Sequence, residues 1–210
     1  MKKPMRTLAI DCATEACSVA LFEDDTLIAN THAVLGRGHA ERLVPMIAAL
    51  PDKGKAHRIL VSRGPGSFTG VRIGVATARA LAYAWTAEIA GYPTLALVAA
   101  MARAEHGEVP VLSCMTGGHG EWFVQPFGAS GKPAADHASV KPADAAQSFE
   151  IDLIAGSQAQ AFVAERGHGI ALSLLPDASH ALSIPTTLLS PNTAPIYGRA
   201  PDAKLPTKTS

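Results

Sequence analysis

The chain has 210 residues, 48% hydrophobic and 17% charged, which excludes a disordered chain and gives enough length for one large domain or two small ones around a real core. Eighteen Lys and Arg balance eighteen Asp and Glu, which makes the chain a poor stand-alone nucleic-acid binder, because phosphate contacts need concentrated positive charge. Any RNA must be held mainly by something else.

The start, MKKPMRTLAID, is basic, but its apolar stretch is only Leu8 to Ile10 before Asp11 interrupts, too short for a secretory signal. No stretch approaches membrane-spanning length. Three cysteines, Cys12, Cys17 and Cys114, make no secreted disulfide framework; reduced, buried thiols in a cytoplasmic protein are expected, with a chance pairing of Cys12 and Cys17 as the lesser alternative. Arg6 to Cys12 reads as a strand, Ala13 to Ala16 as a turn and Cys17 to Phe22 as a second strand, so Cys12 and Cys17 fall on neighbouring strands. Asp24-Asp25 turns the chain into a third strand, Thr26 to Val34. A helix follows from about Ala40 to Leu50, with Leu43, Met46, Ile47 and Leu50 at helical spacing and Pro51 ending it. Arg58 to Ser62 is a short apolar strand, parallel to the first. After the turn Gly64-Pro65-Gly66-Ser67 comes a long helix, about Thr69 to Ala87.

No element is assigned between Ala87 and Val109. Beyond it the same order returns: strands at Val109–Met115, Glu121–Phe127 and Ala138–Val140, a helix from Pro142 to Phe149, a strand at Ile151–Ala155, and a helix opened by Gly156-Ser157 and running to Glu165. Ile170 to Leu175 reads as a final strand, and the tail from Pro176 is proline-rich. Two β-β-β-α-β-α units predict an α/β fold of two lobes facing each other across a cleft, with the division at residues 1–100 and 101–210.

Asp11 ends an apolar strand at a tight turn, where a carboxylate either holds a hydrated magnesium ion or bonds the turn's own amides. Thr14, Glu15 and the turn amides are candidates for a phosphate contact. Gly66 and Ser67 precede the long helix, so phosphate binding at its positive end and plain capping by Ser67 or Thr69 are both open. The P-loop pattern is absent, since no lysine follows Gly70. Gly70, Gly74, Ala78 and Ala82 form a stripe of tiny side chains four residues apart, with Arg72 and Arg79 as a polar edge. Gly74 inside a helix costs about 1 kcal/mol relative to alanine and needs a close backbone neighbour, either the chain's own sheet or a partner helix. The eight histidines show no zinc-site spacing; His39 reads as a cap, with Glu41 favouring the positive helix end. No G-x-S-x-G elbow is present, so peptidase chemistry has no support.

The segments IDCATEACSVAL, GHAERLVPMI, SRGPGSFTGVRIGVATARALA and PIYGRAPDA resemble the TsaB (YeaZ) family. The resemblance implies an actin/Hsp70/sugar-kinase-like (ASKHA) fold and a place in the bacterial machine that transfers a threonylcarbamoyl group to the adenosine beside the tRNA anticodon. In that machine another enzyme makes threonylcarbamoyl-adenylate, and the catalytic paralogue TsaD holds a metal and performs the transfer. The small ATPase TsaE docks on the pair. The resemblance implies a non-catalytic subunit, older names of which are glycoprotease-like. It binds TsaD, forms a homodimer when alone and meets tRNA only through the complex. It requires no cofactor or metal of its own, and ATP or ADP can lie at the partner interface. The metal-binding helix of the paralogue carries a histidine pair; here only His39 appears. Asp11 and Thr14 match the first phosphate turn of the wider ATPase group. The second, usually an Asp-Ala-Arg run, is Thr116-Gly117-Gly118 here.

On this reading the nucleotide-site candidates are Asp11, Thr14, Gly66 and Ser67. The partner-docking face is the small stripe with the helix beside it: Glu41, Arg42, Pro45, Gly70, Val71, Arg72, Gly74, Val75, Ala78, Arg79 and Ala82. The rival reading is a small ATPase or kinase acting alone, which requires Asp11 and a second acidic group across the cleft.

Overall fold

The computed structural model describes residues 4–198. The first sheet is built from β1 (Arg6–Asp11), β2 (Ala16–Glu23), β3 (Thr26–Val34), β4 (Arg58–Ser62) and β5 (Glu88–Tyr92), in the order β3-β2-β1-β4-β5. The second comprises β6 (Val111–Thr116), β7 (Trp122–Phe127), β8 (Ala138–Val140), β9 (Leu153–Ala155) and β10 (Ile170–Leu172), in the order β10-β9-β6-β7-β8. With β6 equated to β1, the two orders are identical. In each, the first strand pairs antiparallel with the second and parallel with the fourth. This is the duplicated two-sheet arrangement anticipated from the repeated element order.

Three helical layers cover the two sheets. α1 (His39–Ala48) and α2 (Phe68–Trp85) cover the outer face of the first sheet, where Leu43, Met46, Ile47, Val71, Val75 and Ala78 pack on Leu8, Ile10, Val19, Ile59 and Val61. α4 (Pro142–Ser148) and α5 (Ala159–Arg166) cover the second sheet, with Phe162 against Trp122 and Ile154. Between the sheets lies α3 (Thr94–His106).

The region left unassigned thus holds β5 and α3. Leu95, Leu97, Val98 and Ala102 of α3 are fully buried, packed against Ala9, Ala20 and Leu60 of one sheet and Val111, Phe127 and Ala155 of the other. A helix covered on both sides has no polar stripe to give it a period. The expected division between residues 100 and 101 falls inside this helix. The proline-rich tail also folds back: Ala178–Ser183 is a short 3-10 turn packed beneath β2, where the Ser18 hydroxyl accepts from Ala178 N at 2.9 Å.

Candidate functional site

The turn after β1 and the turn before α2 are locked together backbone to backbone. Ser67 N donates to Ala13 O at 2.7 Å. A Cβ on Gly66 would lie 2.1 Å from Ala13 O, and one on Gly70 would lie 2.0 Å from Cys12 O. Only glycine permits this approach. Ser67 caps α2, its hydroxyl accepting from Gly70 N at 3.2 Å.

These turns form one wall of a cleft of about 860 Å³ between the lobes. Ala13, Thr14, Glu15, Gly66, Ser67 and Phe68 line it from the first lobe, and Thr116 to His119, Phe123 and Ser157 from the second. The C-terminal segment Pro195–Gly198 closes one side. That segment is strapped to α2. Arg79 Nε donates to Thr193 Oγ1 at 2.8 Å, Arg72 Nη2 donates to the Tyr197 hydroxyl at 2.7 Å, and the Arg72 guanidinium lies 3.1 Å from the Phe68 ring centre. Ile196 N donates to Arg63 O at 2.6 Å, and Gly198 sits against the Phe123 ring. The polar edge Arg72 and Arg79 therefore holds the chain's own tail. Of the PIYGRAPDA segment, residues 195–198 line the cleft, and the rest lies outside the described residues.

Thr14, Gly66 and Ser67 meet in the cleft as expected, but Asp11 does not. Its carboxylate is 1% exposed and lies one layer below, accepting from Ala13 N at 2.9 Å and lying 3.5 Å from the Tyr92 hydroxyl. Burial pushes its pKa up to about 6, against the opposing hydrogen bonds from Ala13, Ser62 and Tyr92. Of the two readings of Asp11, its bond from Ala13 N fits the aspartate that bonds its own turn, and Asp11 is not among the residues that line the cleft. Thr14 Oγ1 likewise accepts from Ala16 N at 3.1 Å. In the second turn Thr116 Oγ1 accepts from Gln158 Nε2 at 2.8 Å, and Thr116 N donates to Ser157 Oγ at 3.1 Å.

His39 corrects another expectation. Gly38 is the N-cap of α1, with φ 89°, and the His39 Nε2 reaches instead to Ala16 O at 3.2 Å. Among the described residues no group of three or more His, Cys, Asp or Glu could hold a metal ion.

The small stripe of α2 also points the other way from expectation. Gly70, Val71, Gly74, Val75, Ala78 and Ala82 are all buried on the chain's own sheet. A Cβ on Gly74 would meet Cys12 Cβ at 3.5 Å and Val61 Cγ2 at 3.8 Å. The neighbours of Gly74 are thus side chains of its own sheet at ordinary contact distance, and no close backbone approach on this side requires a glycine there. The outer side of α2 carries Ala76, Ala80, Tyr83 and Ala84, and that of α1 carries Glu41, Arg42, Val44, Pro45 and Ala48. Tyr83 is 92% exposed, Phe68 65% and Val44 54%. Val44 and Tyr83 were not among the docking residues read from the sequence, where smallness was the mark; their spacing opposite the buried stripe is the signal of their exposure.

The chain is 42% identical over 125 residues to the tRNA threonylcarbamoyladenosine biosynthesis protein TsaB of Escherichia coli, covering 57% of this chain and 53% of that one. It is 38% identical over 104 residues to TsaB of Bacillus subtilis, covering 47% and 45%. The solved structure of YeaZ from Pseudomonas aeruginosa superposes with a TM-score of 0.78 at 28% identity, covering 92% of this chain and 99% of that one. Residues 30–184 match the family model described as TsaD, tRNA N6-adenosine threonylcarbamoyltransferase. The chain belongs to this family, in its TsaB/YeaZ branch.

The chain spans about half the length of the curated TsaB relatives it matches. Against the YeaZ structure the match is nearly end to end, so the likeness takes in both lobes. No helix among the described residues is long and apolar enough to cross a membrane.

Proposed function

We propose that this chain is the non-catalytic, partner-binding subunit of the machinery that places a threonylcarbamoyl group on a tRNA adenosine. The observation that carries the reading is the outer face of α1 and α2, where Val44, Pro45, Ala80 and Tyr83 turn apolar surface to solvent. An apolar helical face of this kind is covered by a partner in a working complex. The partner is the catalytic TsaD paralogue, whose related helices complete a bundle across a pseudo-two-fold axis. A second copy of this chain takes that place when the paralogue is absent. TsaE and tRNA meet the chain through the pair, and the complex works in the cytoplasm.

The cleft supports the same role. Its charged lining is Glu15 and Arg72; Arg72 is taken up by Phe68 and Tyr197, and Glu15 repels phosphate. With Asp11 buried, the carboxylate that the first turn brings to the cleft is Glu15 and not Asp11, the residue on which the solitary ATPase depends. ATP or ADP, where the complex needs it, lies at the partner interface. Co-purification with the paralogue from the same organism, read by light scattering after a sizing column, tests the reading. A one-to-one complex with no ATP turnover by this chain alone is expected. Magnesium-dependent turnover lost in Asp11→Ala would favour the solitary ATPase instead.

A further inference from the structure

Two of the three cysteines take no part in the docking reading, yet the fold brings them together. β1 and β2 pair antiparallel with Asp11 opposite Ser18, so the same register carried one step further sets Cys12 opposite Cys17. Their sulfur atoms are 3.6 Å apart, and both side chains are buried. Facing residues on adjacent antiparallel strands are within disulfide reach, and closing this gap takes a shift of roughly 1.5 Å, available from side-chain rotation.

The pair also lies at a junction. Cys12 O supports the close approach of Gly70, and Cys12 Sγ lies 3.7 Å from where a Gly74 Cβ would stand. Ala16, next to Cys17, holds His39 of α1 through its carbonyl. Between the two cysteines run Ala13, Thr14 and Glu15, which line the cleft. Both outer helices and the cleft wall therefore rest on the six-residue segment that Cys12 and Cys17 bracket.

We propose that Cys12 and Cys17 are a reversible redox modification site, whose disulfide staples the cleft-lining turn beneath α1 and α2. With a peroxide as oxidant, one thiolate attacks a peroxide oxygen, giving a sulfenic acid and one water. The second thiol then attacks that sulfur, forming the S–S bond and releasing a second water. The two thiols lose two electrons and two hydrogens, and the peroxide is reduced. A thiol reductant reverses the step by exchange. Because both sulfurs are buried, the reaction passes through opening of the turn from its cleft side and runs slower than at an exposed thiol.

The test treats the full chain with hydrogen peroxide under native conditions, blocks remaining thiols with a maleimide after denaturation, and maps tryptic peptides by mass. Thr7 to Arg37 form one tryptic peptide carrying both cysteines, and Ala104 to Arg166 another carrying Cys114, since Lys132 and Lys141 each precede a proline. The expected result is a first peptide lighter by two hydrogens that accepts maleimide only after reduction, while the Cys114 peptide accepts it directly. Hydrogen exchange at Gly70 to Gly74 should slow on oxidation, and Cys17→Ser should abolish both effects. Separate over-oxidation of the two thiols, disulfides between chains, or two unreacted thiols would overturn the proposal. A disulfide that leaves exchange in α2 unchanged would overturn its coupling to the helices.

Discussion

In the first lobe the five strands run six, eight, nine, five and five residues, and in the second they run six, six, three, three and three. The covering helices shrink with them, from ten and eighteen residues to seven and eight. Each short helix of the second lobe has length enough to cover its sheet and little more; the Phe162 and Trp122 rings, 5.9 Å apart, fill that space. α2 has five turns, so one side can pack on β1 and β4 while the other carries Ala80 and Tyr83 outward. The same unit leaves an exposed helical face in one lobe and short covering helices in the other, and both lobes line the cleft. The turns follow suit. In both, a glycine leaves no room for a side chain beside a backbone carbonyl: a Cβ on Gly70 would lie 2.0 Å from Cys12 O, and one on Gly156 2.3 Å from Cys114 O. The charge at the tip differs, Asp11 in one and Thr116 in the other.

The largest effect should come from breaking both glycine contacts. Gly70→Val and Gly156→Val should each lower stability by about 3 kcal/mol in chemical denaturation, since backbone cannot yield to a new Cβ. At Gly156 the φ of 125° adds strain. If only Gly70 responds, the two turns are not built alike.

The second effect separates the tips. Asp11 has a folded pKa near 6 against an ordinary value of 3.8, so the native state binds more protons between those values. Its stabilising contribution is full below pH 4 and is lost as pH rises through 6, by about 3 kcal/mol. Asp11→Asn should remove that slope and raise stability at pH 7, read from denaturation midpoints across pH. A wild-type profile flat from pH 4 to 7 would contradict the burial account.

A smaller effect concerns the strap. Tyr197→Phe removes the 2.7 Å bond to Arg72 and should cost about 1 kcal/mol, seen as earlier protease cutting near residue 195. The smallest is of opposite sign. Gly74→Ala meets only ordinary contacts, the nearest at 3.5 Å, so helix propensity should leave it neutral or up to about 1 kcal/mol more stable. One helix thus holds a glycine that cannot change and another that can.

The first lobe was legible from its alternation and turns: the Thr26–Val34 and Arg58–Ser62 strands are placed residue for residue. β5 and α3 were not, because the run from Leu95 to Ala102 is apolar on every side and lies between two sheets. Of the cleft, Thr14, Gly66 and Ser67 were readable as turn residues. The strap was not, since nothing local in residues 190–198 tells that Arg63, Arg72 and Arg79 reach for it from far along the chain. The stripe Gly70, Gly74, Ala78, Ala82 announced a close neighbour without saying which.

The central claim is that the outward side of α1 and α2 docks the catalytic paralogue. The direct measurement is light scattering of the one-to-one mixture after a sizing column, for the wild-type chain and for Val44→Asp with Tyr83→Asp. Both positions are exposed, so thermal unfolding of the double variant alone should match wild type. The account predicts a complex for wild type and a loss of at least about 30-fold in affinity for the variant. A double variant that pairs as tightly as wild type would contradict it.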